Sequence, residues 1–97
     1  MTKRELVTHI SIKTGLTLEK SANALEAVMD GIKESLGKGE KVLISDFGSF
    51  ELRLHQAHIA RNPQTGDTVW IEAAEVPVFR ASNAFKSLIK TERSKTK

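Results

Sequence analysis

The sequence predicts an α+β fold with the element order α-α-β-β-β-α, in which two helices precede an antiparallel sheet and a short helix follows it. Apolar residues first recur at helical spacing up to residue 36, then alternate as in strands on both sides of a turn at 62–66, and return to helical spacing after residue 82. A chain of 97 residues is long enough for one domain. We expect residues 1–40 to form a helical dimerisation base, 41–80 the sheet and an arm, 81–90 the last helix, and 91–97 a basic tail.

The first helix is expected over residues 3–14. Thr2 and Glu5 have the spacing of a capping box, in which a hydroxyl accepts a hydrogen bond from an early helical amide and the acid reaches back. Gly15 suits the left-handed conformation with which many helices end.

The second helix is predicted to begin after Thr17 and to end at Gly37 and Gly39. Its apolar seam is long and wide, so it needs more partner surface than one short helix supplies. We therefore expect a second copy of the chain to pack across it and form a dimer. The seam consists of Leu18, Ala22, Leu25, Met29, Ile32 and Leu36, widened by Ala24, Ala27 and Val28.

The sheet is predicted to contain a short strand over 41–45, a turn at 46–49 and one long β-hairpin. Apolar and polar residues alternate over 50–55 and again over 68–72, on either side of the turn. The far half of this hairpin has too few apolar residues to pack into a core, so we expect it to form an arm. Pro77 favours an edge strand or the start of a strand near 76–79, because proline cannot donate to a ladder.

The third helix is expected to be capped by Ser82, with Phe85 and Leu88 facing inward and Lys86 and Lys90 facing outward. Residues 91–97 have no apolar side chain, and we expect them to form a mobile basic tail.

The charge distribution indicates a polyanionic partner. The net charge is only +3, but residues 80–97 carry six basic side chains against one acid, and the stretch 52–66 contains no acid at all. Clustered lysine and arginine gain free energy by releasing counterions from phosphates. The absence of cysteine favours an intracellular setting, and no apolar run reaches membrane-spanning length, so we expect a cytoplasmic protein without a membrane partner.

The acid-free stretch carries Arg53, His55, His58 and Arg61. A ribbon with cationic side chains suits insertion into a nucleic-acid groove, whereas the simpler alternative is a surface loop. Pro63 at the turn has two readings that the sequence leaves open. It is either ordinary turn chemistry or a rigid apolar wedge between base pairs.

Trp70 lies out of phase with the apolar residues beside it. It either covers the base of the hairpin, which we favour, or lies against a sugar-phosphate edge. Four phenylalanines occupy apolar-phase positions and are expected in the core: Phe47, Phe50, Phe79 and Phe85.

Nothing in the sequence indicates catalysis. It has no glycine-rich phosphate loop before a helix and no nucleophile elbow. His9, His55 and His58 have no nearby carboxylate with the spacing of a metal site. We therefore expect a protein that is not an enzyme and that needs no cofactor or metal.

Three motifs carry a resemblance to a known family. The chain resembles the bacterial HU and integration host factor family at Asp46-Phe-Gly-Ser-Phe50, Arg61-Asn-Pro-Gln-Thr-Gly66 and Val76-Pro-Val-Phe-Arg80. The resemblance implies an intertwined dimer with a helical base and two β-arms that embrace double-stranded DNA through the minor groove. It also implies that a three-stranded antiparallel sheet extends into each arm.

The resemblance further implies that the proline at the tip of the arm intercalates and bends the duplex. His55 and His58 stand where many members of the family have arginine. The residues implied in DNA contact are Lys3, Arg53, His55, His58, Arg61, Asn62, Pro63, Arg80 and Lys86.

The function expected from the resemblance is DNA bending with low sequence specificity, which would compact chromosomal DNA at the nucleoid. One alternative is a site-specific bender of the integration host factor type, acting as a heterodimer with a related chain. The other is a dimeric protein-interaction module with reduced DNA binding.

Overall fold

The structure is a computed structural model that describes residues 1–95. Helix α1 covers Lys3–Thr14, the range predicted from the sequence. The Thr2 hydroxyl accepts a hydrogen bond from the Glu5 amide at 3.2 Å and lies 3.3 Å from the Glu5 carboxylate, so the acid contacts the cap side chain. Gly15 ends the helix at φ 77°, a left-handed conformation that glycine adopts without strain.

Helix α2 covers Leu18–Gly37 and is capped by Thr17, whose hydroxyl accepts from the Lys20 amide at 3.1 Å. Both features agree with the prediction. The helix packs against α1, and Ser21 is fully buried.

Five strands follow, where the sequence predicted three. They are β1 (Val42–Ile44), β2 (Gly48–His55), β3 (His58–Arg61), β4 (Thr68–Ile71) and β5 (Ala74–Ala81). An antiparallel sheet has the strand order β1-β2-β5, and β3 pairs with β4 in a separate two-stranded ladder.

The additional strands come from one interruption in the predicted hairpin. The inner ladder ends at His55 opposite Ala74, and the outer ladder begins at His58 opposite Ile71. Two residues are unpaired on each limb, at 56–57 and 72–73. Because these numbers are equal, the register continues from sheet to arm, and the single hairpin predicted from the sequence is confirmed.

Two details of the sheet differ from the prediction. The turn after β1 occupies residues 45–47, not 46–49, since Gly48 and Ser49 already pair with Ala81 and Arg80. Asp46 lies in this turn at φ 63°, a conformation that aspartate tolerates better than most side chains. Pro77 lies within β5, which is an edge strand as expected, although the strand starts earlier, at Ala74.

The last helix, α3, covers Asn83–Lys95. The Ser82 hydroxyl accepts from the Phe85 amide at 3.1 Å, which confirms the predicted cap. The helix continues five residues past the expected end at residue 90, so residues 91–95 belong to α3. Residues 96 and 97 lie outside the described part of the chain.

The four phenylalanines form one aromatic cluster where α3 meets the sheet. The Phe47 ring centroid is 5.3 Å from that of Phe79 and 5.2 Å from that of Phe85, and Phe50 lies 5.0 Å from Phe79. The prediction that these four rings lie in a buried core is wrong for the single chain: none of them is buried, and Phe47 and Phe79 remain more than one-third exposed.

A single chain does not enclose a hydrophobic core. Among residues 1–94, whose exposure the structure describes, no apolar side chain is buried. The accessible surface is 8118 Å², whereas a compact monomer of 10.7 kDa exposes about 5,500 Å². The radius of gyration is 18.6 Å, against about 12.5 Å for a compact domain of this length. Both excesses follow from an extended arm and open apolar faces.

Candidate nucleic-acid interface

The two faces of the sheet are chemically different. Side chains directly opposite each other in an antiparallel pair lie on the same face. Phe50, Leu52 and Pro77 therefore share one face, and they line an apolar cavity together with Ile32 and Leu36 of α2. This face is directed toward the helices.

The opposite face carries three of the predicted contact residues. Arg53 and His55 of β2 lie on it, and so does Arg80 of β5, which pairs with Ser49. All three side chains are exposed. The alternation of β2 thus separates an apolar face that packs on α2 from a cationic face directed away from it.

Glu51 partly neutralises this cationic face. Its carboxylate lies 3.4 Å from the Arg80 guanidinium and 3.8 Å from the Lys41 ammonium group. The Glu51 side chain is 22% exposed, while both cations are more than half exposed. An anion that approaches from solvent therefore meets the cations first.

Lys86 joins Arg80 at one cavity. Both line a mostly polar depression at the beginning of α3, together with Lys41, Ser82 and Asn83. Helix N-termini present free amide groups and a positive dipole end, and both features attract anions. Lys41 was not singled out from the sequence, and only its contact with Glu51 and its position in this depression reveal it as part of the group.

The arm carries Arg61 and His58 on opposite faces. Arg61 pairs with Thr68 and lies on the same face as Ile59 and Trp70, whereas His58 pairs with Ile71 on the other face. The His58 Nδ1 lies 3.0 Å from the Gln56 carbonyl oxygen, so the ring donates a hydrogen bond from Nδ1 to that oxygen. Gln56 is one of the unpaired residues between the sheet and the arm.

The sequence favoured a position for Trp70 over the base of the hairpin, and the structure does not show this. Trp70 lies in the outer ladder, directly opposite Ile59, and is 58% exposed. Ile59 is 68% exposed. The alternation of the strand predicted the face of Trp70 correctly, but it could not show that the side chain remains more than half exposed.

The tip of the arm is a tight loop over residues 62–66, and hydrogen bonds to Asn62 stabilise it. The Asn62 side-chain oxygen accepts from the Gln64 amide at 2.9 Å, and its backbone carbonyl accepts from the Gly66 amide at 2.8 Å. Gly66 has φ 78°, which explains the glycine at this position. Asn62 therefore shapes the loop, while Pro63 is exposed at its end.

Lys3 lies apart from these residues, in a groove between α1 and α2. Its ammonium group forms an ion pair with Glu26 of α2. Hydrogen bonding and charge attraction from Lys3, with a smaller contribution from Lys33, lower the pKa of the Glu26 carboxyl below its usual value. A phosphate that binds Lys3 must compete with this carboxylate.

The described residues show neither a metal centre nor a membrane span. Within 1–95, no three His, Cys, Asp or Glu side chains are grouped so as to hold a metal ion. No helix in the same range has the length and hydropathy needed to cross a bilayer.

Comparison with known proteins gives consistent matches over most of the chain. The family model described as bacterial DNA-binding protein matches residues 1–90. The chain is 44% identical over 88 residues to DNA-binding protein HU of Streptococcus thermophilus, and this match covers 91% of this chain and 97% of that protein. It is 41% identical over 90 residues to DNA-binding protein HU of Staphylococcus aureus, covering 93% and 100% of the two chains.

The solved structures that match the chain are also HU proteins. The chain superposes on HU in an Anabaena HU–DNA cocrystal structure with a TM-score of 0.85 and 36% identity, covering 92% of this chain and 97% of the other. An HU variant from Thermotoga maritima matches with a TM-score of 0.68 and 29% identity, covering 92% and 99%.

Proposed function

Because the chain belongs to the bacterial DNA-binding protein family that includes HU, we propose that it binds double-stranded DNA as a dimer, bends it through the minor groove and compacts chromosomal DNA. The family consists of architectural DNA-binding proteins and not of enzymes. It is itself a standard example of minor-groove architectural binding, so this mechanism follows from membership and is not an independent prediction.

The observation that carries the proposal is the continuous register between sheet and arm. It extends the cationic face of the sheet, with Arg53 and Arg80, into the face of the arm that bears Arg61. A ribbon of this kind can follow a groove while its arginines contact the flanking phosphates. We propose that the residues in contact with DNA are Lys3, Arg53, His55, His58, Arg61, Asn62, Pro63, Arg80 and Lys86.

A second copy of the chain is proposed because one copy leaves its apolar faces open. The surface is about 2,600 Å² larger than that of a compact monomer of 10.7 kDa. Two copies together therefore carry about 5,200 Å² of excess surface, part of it in the extended arms, and obligate dimers bury about 2,000–5,000 Å² over both partners. The seam of α2 and the half-exposed phenylalanine cluster are the surfaces that the partner would cover. We propose a homodimer, with a related chain as the alternative partner.

Bending is assigned to Pro63. Its ring is rigid and has no amide hydrogen to leave unsatisfied between bases. Its exposed position beyond the last pair of the arm, Arg61 with Thr68, gives it access to a base step. Because minor-groove contacts distinguish little beyond A·T from G·C, sequence preference should be weak.

The HU function fits better than site-specific binding of the integration host factor type, since the curated relatives reported above are HU proteins. A protein-interaction module without DNA binding also fits less well, because the arm retains its cations and its tip proline. We propose that the protein acts at the nucleoid as one DNA-binding domain.

The experiment that tests the proposal is a salt titration of binding to a labelled random duplex, with the mass of the complex measured in parallel. About six phosphate contacts predict a log–log slope near −5. The mass should correspond to two chains of 10.7 kDa, alone and on DNA. No binding at low salt, or a single chain on the duplex, would refute the proposal.

A further inference from the structure

The middle of the arm carries an exposed apolar pair. Ile59 of β3 and Trp70 of β4 are directly opposite residues, so their side chains share one face of the ribbon. They are 68% and 58% exposed. Trp70 is the single tryptophan of the chain.

The pair lies on the face of the arm that also bears a cation. Arg61 is two residues beyond Ile59 in the same strand, and alternate residues of a strand point to the same side. The continuous register assigns this face to the side of Arg53 and Arg80 in the sheet. An aromatic ring, an aliphatic side chain and a guanidinium group therefore face the DNA that the sheet and arm hold.

Hairpin stabilisation alone does not account for this pair. A cross-strand contact between an aromatic and a β-branched side chain does stabilise a ribbon. It uses only the inner edges of the two side chains, and more than half of each remains exposed. The remaining apolar surface is available to a ligand with a flat apolar face.

We propose that Trp70 is a stacking site for an unpaired nucleobase, with Ile59 beside it and Arg61 at the adjoining phosphate. This inference rests on the DNA binding proposed above. Stacking on an aromatic side chain requires a base with an open π-face. Within an intact duplex each base is covered by its neighbours, whereas a gap or a bulge exposes one.

The position of the pair predicts where the unpaired base lies. Ile59 lies two residues before Arg61, where the arm ladder ends, a rise of roughly 7 Å at about 3.3 Å per residue, and Pro63 lies in the turn beyond Arg61. Base pairs are spaced about 3.4 Å apart along the duplex. The base held by Trp70 is therefore at least about two base steps from the kink made by Pro63, and DNA with a gap on the sheet side of that kink should bind best.

The test compares a gapped duplex with an intact duplex of the same sequence. Trp70 emission should be quenched more strongly by the gapped duplex, and the single tryptophan makes this signal unambiguous. Trp70→Thr should weaken binding to the gapped duplex about tenfold, the effect of one stacked base, and binding to the intact duplex less than about twofold. Trp70→Phe, which keeps a π-face, should retain most of the affinity for the gapped duplex.

The matched control is Val69→Thr. Val69 adjoins Trp70 in the same strand and is also exposed, but it points to the opposite face. We expect this variant to bind both duplexes with similar small losses. Equal losses on both duplexes for Trp70→Thr, or equal quenching by both, would overturn the stacking site. Failure of the unaltered protein to bind either duplex would instead overturn the proposed function, so the two failures are distinguishable.

Discussion

The Glu51 carboxylate lies 3.4 Å from the guanidinium group of Arg80, on the sheet face directed away from α2. The same carboxylate lies 3.8 Å from Lys41. A phosphate that binds Arg80 must compete with Glu51, because the Glu51 carboxylate already forms an ion pair with the Arg80 guanidinium group. Glu51 therefore limits the electrostatic attraction of this face for DNA.

Replacing Glu51 by glutamine should tighten DNA binding. An ion pair with exposed partners is worth about 1 kcal/mol at most, so the gain should not exceed about fivefold. Fluorescence anisotropy with a labelled duplex at low salt measures it. Glu34→Gln removes the same charge from an exposed position on α2 and should have a smaller effect. Weaker binding of the Glu51 variant would show that Glu51 positions Arg80 and does not compete with DNA for it.

Pro63→Ala should reduce bending more than affinity. The arm keeps its arginines and the Asn62 loop, so phosphate contacts remain, while the rigid ring that separates two bases is lost. We expect a clearly smaller bend angle and an affinity within about tenfold of the original. Cyclisation of short DNA fragments measures the bend. An unchanged bend angle would contradict the role of Pro63 as a wedge.

Arg61→Ala should weaken binding by a similar factor on unrelated sequences. Arg61 lies at the end of the arm ladder, where a phosphate contact carries no sequence information. Losing one such contact should reduce the salt slope by about one. Lys38→Ala, at the end of α2, removes the same charge away from the arm and should change the slope less. A loss confined to particular sequences would argue for base readout by Arg61.

Gly48→Ala should destabilise the fold. A Cβ at this position would lie 2.5 Å from the Arg80 carbonyl oxygen and 2.6 Å from the Phe79 ring, and the backbone contact cannot move away cheaply. We expect a loss of about 1–3 kcal/mol in the free energy of unfolding. Gly37→Ala is the control, since a Cβ there meets nothing within 4 Å. Thermal melting of both variants decides the point, and equal melting temperatures would contradict the close contact at Gly48.

The ion pair of Lys3 with Glu26 should give stability that depends on pH. The pair lowers the pKa of Glu26 in the folded chain, so its contribution is present above the carboxyl's ordinary value of 4.5 and disappears as the pH falls through the lowered pKa. Glu26→Gln should therefore melt below the unaltered protein at pH 7, and the difference in melting temperature should close once the pH has fallen low enough to protonate Glu26 in the folded chain. The effect should be small, because both side chains are about half exposed. A difference in melting temperature that persists after Glu26 is protonated would exclude the ion pair as its origin.

Local patterns were sufficient to predict most of the fold. Thr2, Thr17 and Ser82 act as caps because hydroxyl side chains satisfy free amides from nearby residues, which is chemistry that a sequence displays directly. The interruption at 56–57 and 72–73 was missed although its composition gave a weak signal, since Ala57, Glu72 and Ala73 are of residue types depleted in strands. The extension of α3 past residue 90 was missed for a different reason, because a polar helix lacks the apolar period on which the prediction relied.

The candidate site was predictable only in part. The two-residue alternation placed Arg53 and His55 on one face, but the contacts of Glu51 with Lys41 and Arg80 join positions far apart in sequence. The same limit applies to Lys3 and Glu26, on different helices. The proposed DNA contact of Asn62 gave no hint of its role in the turn, where its side-chain oxygen accepts a hydrogen bond and leaves the NH2 group free to donate to DNA.

The most direct test of the central claim is the end-to-end distance of a short duplex labelled at both ends, measured by energy transfer with and without saturating protein. A dimer that grips the duplex with two arms and inserts Pro63 should shorten this distance markedly, and Pro63→Ala should restore much of it. Saturated binding that leaves the duplex as long as the free DNA would contradict the account.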